Sequence, residues 1–362
     1  VYRLEVRKVQ KLGYSTIVVS LPRNWVKEKN LKKGDSVIVR VEDDGSLRII
    51  PYNLGEEKKI TEKYVVDVSK ITSKGLVERV LIGNYLLGHD TITFRTDEKR
   101  LPSWVVDEIT RGISRLAGIE IVDQKLNEIT IQCFIDPTKF KLSGLVRRMY
   151  TLIFSMLEGI RIYLTEGDKT VFSQVHGMEI EADRLYWLIV RQLLLAQRSW
   201  RVAKEIGIEH PYHIVGNRAI IKSLEEIADR VYDIAVELEN MDIEKLKISQ
   251  ELLERVDNLL DITDKLVGDS MQAYIELNIV RANDVINEIE LFKEELRQED
   301  IWMVGNIKDK DLLGSLRLVL SYIFRIVDSV EAIAEVTINR SLETPSKFVK
   351  WISEGQARSE LA

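Results

Sequence analysis

The spacing of apolar positions changes twice along this chain, and each change marks a different kind of element. Over residues 1–52 the runs V-Y-R-L-E-V-R-K-V, S-T-I-V-V-S-L-P, D-S-V-I-V-R-V and S-L-R-I-I-P surround a short R-N-W-V-K-E-K-N segment, with Gly13, Pro22, Lys33-Gly34-Asp35 and Asp44-Gly45 as punctuation. Short apolar runs between turn residues predict strands joined as hairpins, here with one brief helix. A sheet this small buries little and needs a staple or a second copy of itself. Between residues 60 and 138, K-Y-V-V-D-V, T-I-T-F-R-T and a strand pair ending in E-I-T-I-Q-C-F alternate with two amphipathic stretches. That alternation predicts a small α/β layer. From about 140 to 342 apolar residues recur three and four apart, and breaks at Gly167, around Pro211 and Met241, near Asn278 and at Gly305 divide the region into six helices. The expected fold class is α+β and multidomain: 1–54, 60–138 and 140–342, followed by a tail over 343–362.

The six helices read as two sets of three, at about 140–241 and 245–342. In each set the second helix carries two acids four apart (Glu179 and Asp183; Asp284 and Glu288), and the third carries an Asp in an aliphatic stripe (Asp229; Asp328). Internal duplication explains the likeness. In L-E-E-I-A-D at 224–229, Glu225 and Asp229 lie one turn apart and so project from one side of their helix. If the second and third helices are antiparallel neighbours, four carboxylates converge in a hard-oxygen environment suited to magnesium, calcium, manganese or iron. At about 100° per residue the pairs fall nearly opposite the core stripe of Ile220, Leu224, Ile227, Val231 and Leu238. The site is therefore expected at the bundle surface, beside Tyr186, Val190, Tyr232 and Val236. A solvated acidic face explains the same spacing, since like charges there cost only about 0.2–0.5 kcal/mol when exposed. Both readings stand at this point.

Composition narrows the chemistry. With 362 residues, 45% hydrophobic and 30% charged, the chain has apolar surface for two or three packed domains. No apolar run approaches the roughly 18 residues of a membrane span and no signal-peptide layout opens the chain, so a soluble cytoplasmic protein is expected. Cys133 is the single cysteine, and with only His89, His176, His210 and His213 beside it no cysteine or histidine zinc cage can be built. A metal here would need carboxylates. Cys133 lies in an apolar strand and reads as a packed thiol, His176 as a surface or capping residue, and His210 and His213, flanking Pro211, as loop residues. No Glu-x-x-His pair, nucleophile–base pair or Gly-rich phosphate loop occurs, and Trp104 and Phe94 read as core or interface. A non-enzymatic protein is expected.

Charge separates the two ends of the chain. The first fifty residues hold eleven basic and six acidic side chains, a local +5 that leaves -11 for the remainder of a chain whose total is -6. Paired copies would present Arg7, Lys8 and Lys11 twice, and six phosphate contacts would make DNA affinity fall about a thousandfold between 50 and 200 mM salt. Lys and Arg that merely solvate a strand edge account for the charge equally well.

Two stretches resemble known families. R-K-V-Q-K-L-G at 7–13, I-V-V-S-L-P ending at Pro22, the short helix through Trp25 and L-K-K-G-D at 31–35 resemble the AbrB/MazE-type (SpoVT-AbrB) swapped-hairpin domain. The resemblance implies an intertwined homodimer that grips DNA, with Arg7, Lys8 and Lys27 at positions of basic contact residues; Lys11 joins them on charge. Tyr14 departs from the many DNA-binding members that place Arg just after the glycine. L-E-E-I-A-D at 224–229 and M-E-I-E-A-D-R-L at 178–185 resemble the third-helix and second-helix motifs of the PhoU family. That resemblance implies a six-helix bundle of two three-helix repeats whose acid pairs bind metal at the bundle surface. Glu179, Asp183, Glu225 and Asp229 would hold a divalent or trivalent ion (iron, zinc, magnesium or manganese). Asp284, Glu288 and Asp328 would form a weaker second set, because Phe324 stands four before Asp328 where an acid is expected.

Together the two stretches resemble an archaeal phosphate uptake regulator. They imply a homodimer or higher homo-oligomer, DNA as a partner, no transmembrane segment, and a helical sensor that alters the spacing of two N-terminal domains. The alternative is an adaptor that docks on a phosphate transporter or sensor kinase and keeps its N-terminus only for pairing. A metalloenzyme would need a general base and an open ligand set, and the sequence offers neither.

Overall fold

A computed structural model describes residues 5–41, 45–52, 63–241, 250–343 and 348–349. They fall into two units, divided between Glu62 and Lys63.

In the first unit β1 (Gln10–Leu12) and β2 (Thr16–Val18) form an antiparallel hairpin. Gly13 makes the turn at φ 67, a left-handed backbone that side chains with a Cβ resist. Helix α1 (Arg23–Glu28) follows, then a second hairpin of β3 (Val37–Val41) and β4 (Leu47–Pro51). Of its Asp44-Gly45 turn, Asp44 lies outside the described residues. The first strand is shorter than the apolar pattern predicts, because residues 5–9 find no ladder partner among the described residues of a single chain. Nor does the unit cover its own apolar face. Val9, Leu12, Ile17, Val41 and Leu47 are each more than 60% exposed, and Pro51 alone is buried among the unit's described residues.

The second unit opens with the α/β layer: β5 (Lys63–Asp67), α2 (Leu76–Leu86), β6 (Thr91–Arg95), α3 (Ser103–Ser114), β7 (Ile119–Gln124) and β8 (Glu128–Cys133). The sheet runs β5-β6-β8-β7, with β5 and β6 parallel and the other neighbours antiparallel. Strand alternation turns Ile92, Phe94, Ile129 and Ile131 toward Val77, Leu81, Val105 and Ile109 of the two helices, with Cys133 buried at the edge of that core.

Seven helices follow among the described residues: α4 (Leu142–Glu166), α5 (Thr170–Arg198), α6 (Trp200–Ile206), α7 (His213–Asn240), α8 (Gln250–Glu276), α9 (Ile279–Asn306) and α10 (Lys310–Ser341). Their ends follow local chemistry. Asn278 accepts from the Arg281 amide (3.2 Å) at the start of α9, and Asp309 accepts from the amides of Asp311 (3.0 Å) and Leu312 (3.1 Å) at the start of α10. Six long helices were expected; α6 is a short addition. Ser199 leaves helical geometry at φ -136 and ψ 110, and Gly207 ends α6 at φ 92, so the chain breaks there as well as at Pro211. His213 is not in a loop: it opens α7, is buried, and its Nε2 lies 2.7 Å from the Glu343 carboxylate.

Helices α4, α5 and α7 pack together, as do α8, α9 and α10, and the two sets meet through α7 against α10 and α4 against α8. The α/β layer is seated on α5. Arg191, only 1% exposed, donates to the Tyr85 carbonyl and to Asp90 (2.8 Å), with its guanidinium 4.8 Å over the Tyr85 ring. Arg184 donates to the Ser114 carbonyl (2.9 Å) and Arg198 to that of Leu87 (3.0 Å). Leu86, Ile135 and Trp187 pack against both the layer's core and the bundle's core.

Candidate metal centre

Glu179 and Asp183 share a face of α5 because four residues make about one turn, and α7 packs alongside to bring Asp229 opposite them. One carboxylate oxygen from each of the three lies within 4.8 Å of the others. All three residues are half-buried rather than fully solvated. Negative charge accumulates accordingly. Burial, then the charges of Glu225 and Asp183, push the Asp229 carboxyl up to about 7, with nearby Arg230 opposing. Burial and Asp183 also raise Glu179 above the usual carboxylate range, with Arg115 opposing.

Glu225 does not join the three. Lys222, three residues earlier on the same helix, approaches its carboxylate to 2.5 Å and also reaches Glu226 at 3.3 Å. The signal was in the sequence, since a Lys at that spacing is a helical ion-pair partner. Arg115 gave no such signal. It follows α3 in the α/β layer, 68 residues from Asp183, and donates to Asp183 (2.9 Å) and to Glu78 (3.2 Å). On α7, Arg230 holds Asp233 at 2.5 Å and lies 3.7 Å from Asp229. The site is therefore a three-carboxylate cradle with a guanidinium from a neighbouring layer at its rim.

The surroundings differ from the expected bundle surface. Tyr186 and Val190 are buried in the bundle's core, and the Tyr186 hydroxyl accepts from Arg218 of α7 (2.9 Å). Tyr232 and Val236 are half-buried at the rim, and His176 is exposed with its ring 5.2 Å from that of Tyr232. An oxygen-only set with excess negative charge and half-buried walls fits a hard multivalent cation. It offers no nucleophile paired with a base.

The second repeat does not repeat the arrangement. Asp284, Glu288 and Asp328 are exposed, and no metal-sized group of acids forms from them among the described residues. Lys265 approaches Glu288 at 3.0 Å, and Lys293 takes Asp328 at 2.7 Å and Glu331 at 2.6 Å. The Lys293 ammonium also lies 5.5 Å over the Phe324 ring, at the position where the first repeat has Glu225.

In the first unit, Arg7, Lys8, Lys11 and Lys27 are all solvent-exposed: Arg7 and Lys8 before β1, Lys11 within β1 and Lys27 in the last turn of α1. Arg7 is engaged by Glu5 and donates to the Ser20 hydroxyl (3.3 Å), while Lys8, Lys11 and Lys27 make no ion pair among the described residues. Tyr14 projects fully into solvent from the β1–β2 turn.

Comparison with known families gives two matches. Residues 10–57 match the family model for antidote-toxin recognition MazE, a bacterial antitoxin, and residues 146–238 match the PhoU domain. Among solved structures, the phosphate transport system regulatory protein PhoU from Streptococcus pneumoniae is similar at 14% identity and a TM-score of 0.46, covering 54% of this chain and 93% of its own. PhoU from Pseudomonas aeruginosa is similar at 14% identity and a TM-score of 0.39, with the same coverage of both chains. No curated protein matches the chain. The PhoU match spans α5 and α7, the two helices that carry the acids.

Proposed function

We propose that this chain is a non-enzymatic, homodimeric, DNA-binding regulator of phosphate uptake, in which Glu179, Asp183 and Asp229 hold a divalent or trivalent metal ion as part of a helical sensor. The observation that carries the sensing half is the meeting of three carboxylates inside the stretch that matches the PhoU domain. Burial, and after it the charges of neighbouring carboxylates, raise Asp229 and Glu179, and a bound cation would offset both. The DNA-binding half rests on the MazE match and on the exposed Lys8, Lys11 and Lys27.

Homodimerisation rests on the apolar face of the first unit. Fully burying an aliphatic side chain gains roughly 1.5–3 kcal/mol, and Val9, Leu12, Ile17, Val41 and Leu47 gain almost none of it within one copy. A second copy of the same hairpins supplies the missing cover, and it doubles the set of basic side chains.

Metal analysis of the purified protein, together with a gel shift at 50 and 200 mM salt, tests the proposal. Bound metal lost on changing Asp183 and Asp229 to Asn is the expected result, along with DNA retention that weakens sharply at the higher salt and again in an Arg7→Ala, Lys8→Ala variant. Metal binding without any DNA retention would favour the adaptor that docks on a transporter or kinase. Absence of metal under every condition would remove the sensor.

A further inference from the structure

A second polar site lies at the opposite kind of potential, where the start of α4, the start of α7 and the ends of α8 and α10 meet. It is a pocket of about 230 Å³ lined by, among others, Lys141, Ser143, Arg147, His213, Tyr274 and Arg340. Three of these side chains are full cations. Arg147 and Arg340 have no carboxylate partner among the described residues, and Lys141 uses its ammonium on the Glu205 carbonyl at 2.8 Å. The Glu205 carboxylate itself lies 4.0 Å from Arg201, and the acid that touches a lining side chain is Glu343, on His213.

The floor of the pocket is braced by hydrogen bonds among its own side chains. Tyr274, on α8, donates to Asn217 Oδ1 (2.6 Å), and the amide of Asn217 donates back to the His213 carbonyl (2.8 Å). Arg340 Nη1 reaches the same Asn217 oxygen (3.4 Å) and the Tyr274 hydroxyl (3.5 Å), and its guanidinium lies 5.8 Å from the Tyr274 ring centre. That bracing fixes the guanidinium at the end of a long helix, yet its Nε is buried with no hydrogen-bond partner. Helix α4 also begins here with no side-chain cap, which leaves first-turn amides turned outward beside Ser143.

We propose that this pocket binds a small, doubly charged tetrahedral oxyanion of the phosphate class, either free inorganic phosphate or the terminal group of a small phosphomonoester. Lys141, Arg147 and Arg340 supply charge, and the Ser143 hydroxyl and the start of α4 supply further donors. Such an ion offers only acceptors and negative charge, which matches a site built of donors. The volume suits a phosphoryl group and falls short of the roughly 300–1,000 Å³ that larger ligands occupy. Because the pocket joins elements of both repeats, occupancy would tie the end of α10 to the starts of α4 and α7. The inference does not depend on the acid cluster holding metal.

Calorimetric titration of the full chain with inorganic phosphate, and separately with glycerol 2-phosphate, tests the proposal. Arg147→Glu and Lys141→Gln are the variants of choice, since both residues are exposed. Saturable binding of at least one of the two probes, weakened tenfold or more by Arg147→Glu and several-fold by Lys141→Gln, is the expected result; the tighter probe identifies the source of the group. Binding should persist in an Asp183→Asn, Asp229→Asn variant and after chelation. Phosphate binding that survives both pocket variants, or that disappears on chelation alone, would place the anion at the metal centre and overturn the proposal. Failure of wild-type protein to bind either probe would overturn it as well. Loss of metal binding with phosphate binding intact would instead sink the metal sensor and leave this site standing.

Discussion

The two three-helix repeats of the bundle start from the same plan and end with different charge arrangements. In the first, Glu179, Asp183 and Asp229 approach one another and the nearest cation to Asp183 is an arginine from another layer. In the second, Asp284, Glu288 and Asp328 occupy equivalent places in sequence, yet Lys265 and Lys293 take Glu288 and Asp328, and Phe324 stands where the first repeat has Glu225. The spacing of carboxylates on a helix is therefore insufficient to make a cation site. What separates the repeats is the identity of the residues that neutralise the acids, and whether those residues come from the same helices or from elsewhere.

The largest expected effect removes the difference altogether. Asp183→Asn with Asp229→Asn should weaken metal binding by roughly 100-fold or more, because a unit-charge contact at 4 Å is worth about 4 kcal/mol at an effective dielectric of 20. Asp284→Asn with Asp328→Asn should leave it unchanged. Calorimetry or metal analysis reads both, and equal losses would erase the contrast.

A smaller change concerns the guanidinium at the rim. Arg115 is 44% exposed, so its pairing with Asp183 is worth about 0.2–1 kcal/mol. Arg115→Gln should therefore tighten metal binding by up to about fivefold, since the ion no longer competes with an internal cation. Weaker binding in that variant would show Arg115 to be a support for the site and not a competitor.

Stability against pH separates the repeats further. Asp229 has its carboxyl raised to about 7 in the folded chain, against about 3.9 in an unfolded one. The folded state therefore holds the proton more tightly, and stability falls as pH rises from about 4 through 7. Asp229→Asn should raise the metal-free melting temperature at pH 8 by about 2–4 °C and leave it nearly unchanged at pH 3.5. Asp328→Asn, which removes a partner of Lys293, should lower it slightly at pH 8.

The smallest expected effect is constructive. Phe324→Glu with Lys293→Met restores the missing acid and removes the neutralising ammonium. Metal stoichiometry should move from one site toward two, with the new site the weaker. A stoichiometry that stays at one would mean that backbone placement, and not these two side chains, keeps the second repeat from binding.

Much of this was legible in the sequence. The helical period marked the long helices, Asn278 and Gly305 marked the breaks around α9, and the acid pairs at 179/183 and 225/229 pointed to α5 and α7. The competition of Lys222 for Glu225 was also legible as a three-residue spacing, and so was Phe324 in place of an acid. Arg115 was not, since nothing local ties a residue after α3 to one on α5 across 68 positions. Nor was the seating of the α/β layer on α5, which follows from packing between distant segments. A single Arg in the aliphatic run L-I-V-R-Q-L-L-L was the trace of that packing, and helical periodicity alone assigns it no partner.

That arginine has a practical consequence for anyone dissecting the chain. Cutting before residue 140 to obtain the helices as an isolated fragment would strip Arg191 of Tyr85 and Asp90. The cut would also open to water the face of α5 that the layer covers, and exposing apolar surface there lowers stability. Trp187 would lose its contacts with the layer's core, and the bundle would lose Leu86 and Ile135, in the same cut. The compact unit that carries the acids begins at Lys63, so fragment design and module swapping should respect that border and not the change of helical period.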